Sequence, residues 1–531
     1  MGSILFRFPV PTSFAAIAWC RRFVLWLAVV VVVMPQAGNA QVVQRSRPAE
    51  WEHLVEGGRF RDLFLPMPVR NELTDDTWGG ENVKPRDVSN GIEDPNWSYW
   101  GGCPIRGDNG RYHLFVSRWP ESHPDGHFGY FDSEIVHAVA DDPSGPYMFR
   151  QRLGEGHNPE IYRSKTGRYV VYSTHGRYFV ADDLNGPWKR RTYDFHKRQR
   201  YVFPNYVNFS FARRSDGSFL AVSRRGYIWV SPDGEEDWYN VSAEPVYPKV
   251  EGIFEDPVLW RDEVQYHIIV NDWKGRIAYY LRSKDGFHWK TEPGEAYTPG
   301  IARYEDGTVS DWFKFERLRF LLDAHGRPTH AFFAVIDTAK ADDKPNDIHN
   351  SKTIVLPMCL ARRAVLVPSS PDDRSPYVRV KLLAEPGFDP ARDLVFDSLR
   401  FGASERVNYG NGATVAAWKP SDDGVVLTFA AEDTGLTDDH FAAKLLGRDR
   451  RGTLVYAWAA LPTKTERVPL LSPLAPHFEW EGDRLVAYVE VQNFGQIESP
   501  PAAVMLSTAQ KDEAVPLASR GVPVAARPDG H

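Results

Sequence analysis

The sequence predicts an all-β protein: a five-bladed β-propeller followed by a C-terminal β-sandwich-like domain. Three observations carry that expectation. One strand–turn–strand unit recurs five times in the middle of the 531-residue chain. A third strand and a tight polar turn follow four of the copies. Aromatics make up 13% of residues, with 17 Trp and 23 Tyr, and both strands and sugar-binding faces use them.

The five copies span 103–117, 158–173, 209–223, 256–271 and 318–335. Each is an apolar strand, a turn and a second apolar strand. The turns read Asp-Asn-Gly, Lys-Thr-Gly, Ser-Asp-Gly, Arg-Asp-Glu and Ala-His-Gly. Gly, Asn and Asp accept the positive φ that tight hairpins need. The third strands begin at Ile135, Tyr178, Tyr227 and Ile277. Each runs into a turn ending on an aromatic, Tyr147, Trp188, Trp238 or Trp289, expected to pack between blades. The steps between turns, about 46 to 63 residues, are those of a four-stranded blade with added loops.

The rest of the chain is divided around this repeat. Residues 1–40 read as a secretory signal: Arg21 and Arg22, an apolar run from Phe23 to Met34, then Ala37-Gly38-Asn39-Ala40, with cleavage expected after Ala40. The apolar run is too short to cross a bilayer. This predicts a secreted or periplasmic protein with no membrane attachment after cleavage. Residues 41–75 form a lead-in expected to supply a strand that closes the ring, and 76–368 hold the blades. A Pro- and Ser-rich linker follows, then an accessory β-sandwich over 377–515 and a flexible tail over 516–531. The net charge of −7 argues against a nucleic-acid partner. Cys103 and Cys359 remain after cleavage; they either pair, which export permits, or stay as buried thiols. A monomer or small oligomer is expected.

Chemistry is expected where the starts of the first strands and the ends of the second strands converge on one mouth. The strand-start column reads Cys103, Asn158, Asn208, Asp256, with Glu316 as the equivalent rim residue of the fifth copy. The strand-end columns read Arg118, Thr174, Arg224, Asp272 and Trp119, His175, Arg225, Trp273. Core strand positions should be apolar, so polar, cationic and aromatic columns mark a candidate site. The loop Pro120–Asp132, with His123, Asp125, His127 and Tyr130, is expected to overhang it.

The segment Glu255-Asp-Pro-Val-Leu-Trp-Arg-Asp-Glu-Val-Gln-Tyr-His-Ile resembles the Glu-Gly-Pro strand of five-bladed family 43 glycoside hydrolases, the arabinanase and xylosidase type. The resemblance covers roughly residues 90–360. It implies a glycosidase in which Glu255 is the general acid. That family places Asp-Pro at the start of the first two blades; here the matching pairs are Cys103-Pro104 and Asn158-Pro159. Replacement carboxylates are Asp94, just upstream of the first copy, and Glu160, two residues along the strand from Asn158. Glu160 is either catalytic or paired with a channel arginine. Glycoside hydrolysis needs one protonated and one ionised carboxyl across the scissile bond. His175 is a further acid candidate, as some related propeller glycosidases use a histidine. Arg118, Arg224 and Arg225 suggest a substrate with uronate or sulfated sugars. Trp119 and Trp273 either stack on sugars or pack between blades.

The expected protein is thus a secreted glycoside hydrolase. It needs no cofactor, and a structural Ca2+ or other ion in the channel is compatible with it. The alternatives are a carbohydrate-binding propeller without activity and a polysaccharide lyase using His, Arg and Tyr. A carboxyl pair at the mouth favours hydrolysis; its absence favours the others.

Overall fold

The computed structural model describes residues 2–8, 43–174, 176–193, 207–242, 244–368, 375–462, 465–509 and 514–522. Each sequence copy becomes the first two strands of one antiparallel meander. The first sheet comprises Trp97–Arg106, Tyr112–Pro120, Glu134–Ala140 and Met148–Glu155. The second comprises Glu160–Arg163, Tyr169–Ser173, Arg177–Ala181 and Lys189–Thr192. The third comprises Ser210–Arg213, Phe219–Val222, Ile228–Ser231 and Tyr239–Asn240, and the fourth Phe254–Arg261, Tyr266–Asp272, Ile277–Ser283 and Lys290–Thr291. The fifth has Lys314–Leu322, Pro328–Ile336 and Ser351–Pro357.

The first strand of each sheet touches that of the next, and the fifth touches the first, so the inner strands close a cycle. Closure draws on residues ahead of the first sheet. Ile92 exchanges backbone hydrogen bonds with Thr353, and the Asn90 side chain bonds both N–H and C=O of Val355. Phe64 and Leu65, in the lead-in, reach Met358 and Pro357 on the same edge.

The hairpins form where the turn chemistry allows. Gly110, Gly167, Gly217 and Gly326 all have positive φ. The glycine-free turn before Tyr266 uses Asp262 instead, whose Oδ1 accepts from the N–H groups of Val264 and Gln265. Three of the turn aromatics pack across sheets: Tyr147 on Phe332, Trp188 on Phe115 and Trp238 on Tyr193.

A seven-stranded sheet packs on the fourth and fifth sheets. Its order is Arg400–Gly402, Ala442–Arg448, Leu454–Ala460, Arg362–Leu366, Tyr377–Leu383, Gly424–Ala430, Val415–Ser421. Arg362–Leu366 is its middle strand, so the sheet begins before the Pro- and Ser-rich linker. One apolar core runs from Trp260, Phe320 and Phe333 to Leu446, Tyr456 and Trp458 without a break. Buried ions cross the same boundary: Arg282 bonds Glu292 and Ser404, and Lys444 bonds Asn408 and the Gly57 carbonyl.

The described residues 2–8, 467–509 and 514–522 belong to a separate compact unit. Within it Arg484–Asn493 pairs with Gly2–Phe8, Leu471–Pro473 and His477–Glu481. Ala502–Ala509 and Ala514–Val522 form a hairpin. Most of the expected signal, residues 9–40 of 1–40, lies outside the described residues. Among the described residues no helix is long and apolar enough to cross a membrane. Cys103 and Cys359 are both buried and free, with burial pushing their thiols up to about 12 and about 11.

Candidate active site

Five residues with left-handed backbone define the ring. Gly101, Asn158, Asn208, Asp256 and Arg317 have φ of 70°, 52°, 51°, 52° and 52°. Gly101, Asp256 and Arg317 lie within their inner strands, and Asn158 and Asn208 two residues ahead of theirs. Pairing with the second strand shifts register around three of them: Trp100 to Cys103, Glu255 to Val258 and Glu316 to Arg319. Asn and Asp tolerate this conformation better than most residues, and Gly without strain. At Gly101 a Cβ would stand 3.1 Å from Asn158 Oδ1 and 3.4 Å from Arg317 Nε, so glycine also gives the ring its room.

This frame corrects the strand-start column. Cys103 stands two positions beyond the left-handed residue, level with Glu160, Ser210, Val258 and Arg319 rather than with Asn158 and Asp256. The proline after Cys103 invited alignment with Pro159 and Pro257. The backbone instead places the bulge at the preceding Gly101-Gly102.

The left-handed residues are bonded in a chain. Asn158 Nδ2 donates to Asn208 Oδ1 at 2.9 Å, and Asn208 Nδ2 donates to Asp256 Oδ1 at 2.9 Å and to Glu255 Oε1 at 3.1 Å. Arg317 Nη1 donates to Asp256 Oδ1 at 2.9 Å and Nη2 to the Asn158 carbonyl at 3.4 Å. Arg317 thereby joins the ends of the chain and plugs the cycle.

Two positions along the strands lies a second, fully buried layer. Glu160 Oε2 pairs with Arg319 Nε at 2.7 Å. Its Oε1 accepts from Ser210 Oγ and the Phe211 N–H. Arg319 also donates to the carbonyls of Pro257 and Leu318. Burial pushes the Glu160 carboxyl up and Arg319 opposes it. Glu160 therefore takes the second of its two expected arrangements, the arginine-paired one.

One position before the left-handed residues the column reads Trp100, His157, Val207, Glu255 and Glu316. Its two carboxyls lie on neighbouring inner strands and carry opposite environments. Glu255 is largely buried beside Asp256; burial first, then the Asp256 charge, push it up to about 7 against the pull of Arg224. Arg224 Nε stands 3.1 Å from Glu255 Oε1. Burial would also raise Glu316, but Lys340 and Lys314, at 2.5 and 3.2 Å, outweigh it and hold the carboxyl down at about 2. Near pH 6 one group is thus largely protonated and the other ionised.

The surroundings close this pair on one side. Lys340 lies over the Trp100 ring and Lys314 over Trp273. Tyr130 senses the charges of Lys340, Glu255, Arg224 and Glu316, and its ring stacks on His157. His127, from the same loop, is buried against Trp100 and Trp119, and its imidazole is held well below the usual range by burial and then by Lys340. The sequence placed this loop over the mouth. It did not single out Lys314 or Lys340, which lie outside the repeat columns. Lysine in the inner strand and a second lysine in the loop after Ile336 were the available signal.

The remaining expected site residues divide between the ring and its outskirts. Asn158, Asp256, Glu255, Glu316, Arg224 and Trp273 come together. Arg225 is exposed. Asp272 is buried under Arg45 from the lead-in, 2.6 Å away, and caps the Ile253 N–H. Arg118 is held outside the ring, paired with Glu134 and sandwiched between Trp97 and Phe149. Trp119 is buried and donates to the Gly126 carbonyl, where it supports the loop. Asp94 caps the turn at Asn96, with its carbonyl bonded by Asn350. His175 lies outside the described residues.

No protein-family profile matches the sequence, and no curated protein aligns with it. Among solved structures the chain is similar to a family 117 glycoside hydrolase of the marine bacterium Zobellia galactanivorans, at 12% identity and a TM-score of 0.36 over 51% of this chain and 88% of that one. It is similar to a GH43_1 enzyme from Xanthomonas citri crystallised with xylose, at 9% identity and 0.35, covering 55% and 93%. It is also similar to an α-L-arabinofuranosidase from Lactobacillus brevis, at 13% and 0.34, covering 50% and 92%.

Proposed function

We propose that the five sheets are the blades of a β-propeller and that the protein is a glycoside hydrolase acting at the ring mouth. The observation that carries this reading is the Glu255–Glu316 pair: two carboxyls at equivalent positions of adjacent inner strands, one raised to about 7 and one lowered to about 2. A protonated and an ionised carboxyl are what cleavage of a glycosidic bond requires. Glu255, partly open to solvent beside Arg224, donates its proton to the leaving oxygen. Glu316 supplies negative charge to the anomeric carbon or to the water attacking it. Asp256 assists by its charge, which favours the protonated Glu255. The channel needs no metal ion in this reading, because the Arg317 and Arg319 guanidinium groups already fill it.

The half-exposed Arg224, the exposed Arg225 and Lys340 support a substrate with an anionic sugar, a uronate or a sulfated residue. The apolar run and small residues before Gln41 support export, with cleavage after Ala40. Presence of the carboxyl pair ranks hydrolysis above the lyase and lectin readings. The test is a screen of purified protein against neutral, uronate-containing and sulfated glycans, reading new reducing ends and unsaturated products separately. New reducing ends without unsaturation support the hydrolase. Unsaturated products establish a lyase, and binding without cleavage a lectin.

A further inference from the structure

Three carboxylates outside the proposed active site meet where two loops cross. Glu121 follows the second strand of the first sheet, and Asp343 and Asp347 lie between the second and third strands of the fifth. One oxygen from each falls within 4.8 Å of the others. Asp343 is 2% exposed, and neither of its carboxylate oxygens has a hydrogen-bond partner. Glu121 is 6% exposed and its Oε1 is likewise buried without a partner, while Oε2 accepts from Ser98 Oγ at 2.8 Å. Asp347 is exposed, and its oxygens accept from the N–H groups of His349 and Lys344.

Three buried acceptors without a donor are costly unless something positive meets them. The nearby cations do not bond them: His349 pairs with Asp337, and Lys344 Nζ turns to the Ala341 carbonyl. Three oxygens within 4.8 Å of one another share a centre no more than about 2.8 Å from each, a small side-chain shift from the roughly 2.3–2.6 Å of Ca2+–oxygen contacts. A set made only of carboxylates, without His or Cys, suits a hard cation rather than zinc.

We propose that Glu121, Asp343 and Asp347 bind one Ca2+ ion that pins the 337–350 loop to the 121–132 loop. The backbones already touch there: a Cβ on Gly126 would lie 2.1 Å from the Asp343 carbonyl, and Asn346 N–H donates to the Glu121 carbonyl. The first loop carries Lys340, which neutralises Glu316, and the second carries Tyr130. The ion would therefore hold both overhanging groups in place from outside the ring.

The experiment is calorimetric titration of CaCl2 into chelator-treated full-length protein, with thermal unfolding alongside. The expected result is one Ca2+ per chain, a Tm that rises with Ca2+, and weaker binding of Mg2+. Asp343→Asn should weaken Ca2+ binding at least tenfold, and the exposed Asp347→Asn by less, with its fold intact. The pair keeps the test decisive even where Asp343→Asn fails to fold. Absence of heat and of any Tm shift up to about 5 mM Ca2+, beyond the range of weak extracellular Ca2+ sites, would overturn the proposal. So would equal affinity in Asp347→Asn and Glu121→Gln and the parent protein, or tighter binding of Mg2+ than of Ca2+.

Discussion

The inner strands carry two acidic layers three residues apart, and they behave differently. In the lower layer Glu160 meets one arginine, a hydroxyl and a backbone N–H inside a sealed channel. In the upper layer Glu255 is partly open to solvent and crowded by another acid, while Glu316 is buried and clasped by two lysines. The residue type is the same in both. What differs is whether the partners satisfy the carboxylate or displace its proton equilibrium. A satisfied buried pair holds structure; two acids displaced in opposite directions can exchange protons with a substrate.

Substitutions in the two layers should separate accordingly. Glu255→Gln should lower kcat by on the order of 10²–10⁴ while leaving binding of the substrate found by the screen nearly unchanged. It should not destabilise the fold at alkaline pH. A carboxyl raised above its unfolded value loses stability as pH climbs from about 4.5 to about 7, so the amide relieves that cost above pH 7, by on the order of 1–3 kcal/mol. Aryl glycosides with good leaving groups, which need no proton, should be cleaved by the variant with a much smaller loss. A variant that keeps full activity on natural glycans would remove Glu255 from the chemistry.

In the lower layer the largest effect should be on stability. Arg319→Met leaves Glu160 buried without its cation and should cost about 3–5 kcal/mol by denaturant unfolding. The double variant Glu160→Gln with Arg319→Met should recover much of that loss, since no uncompensated charge remains. Equal loss in both would mean that the arginine acts through its carbonyl bonds rather than through the pair.

The lysines sharpen the comparison through pH. Lys340→Met removes the stronger of two influences holding Glu316 down, so its carboxyl rises and the acid limb of kcat/KM moves to higher pH. The alkaline limb, set by Glu255 near 7, should move less, because Lys340 lowers Glu255 more weakly than Arg224 does. Arg224→Met should do the reverse: Arg224 lowers Glu255, so its loss shifts the alkaline limb upward and leaves the acid limb in place. Equal movement of both limbs in either variant would contradict separate control of the two carboxyls.

Much of this was legible in the sequence, but unevenly. The hairpin units and their turns followed from local chemistry, because Gly, Asn and Asp at turns and apolar runs in strands leave direct marks, whereas Glu255 came from the resemblance of its strand to that of family 43 enzymes. The register of the first sheet did not. Cys103-Pro104 resembles Asn158-Pro159 in composition, yet Gly101 takes the left-handed turn, a matter of backbone dihedral rather than of residue likeness. Arg317 in that same conformation has no sequence precedent in the other copies; its place is secured by bonds to Asp256 and Asn158 across the ring. Arg118 and Asp272 occupy the predicted strand ends, but Glu134 and Arg45, distant in sequence, draw them into structural pairs. Lys340 lies in a loop, where no repeat position announces it.

The smallest effect tests the backbone itself. Asn208 has φ of 51° and bonds Asn158, Asp256 and Glu255 through its side chain. Asn208→Gly and Asn208→Ala remove the same hydrogen bonds, so whatever those bonds contribute cancels between the two. What remains is the left-handed conformation, which glycine adopts freely and alanine resists by about 1 kcal/mol. Glycine should therefore be the more stable variant by roughly that amount, even though it is ordinarily the worse choice in a strand. The same pair of substitutions at Ser210, two residues on and within an extended strand, should give the opposite order. If alanine is the better residue at both positions, the left-handed ring is not what holds the inner strands in register, and the upper layer must owe its geometry to the lysine and arginine contacts instead.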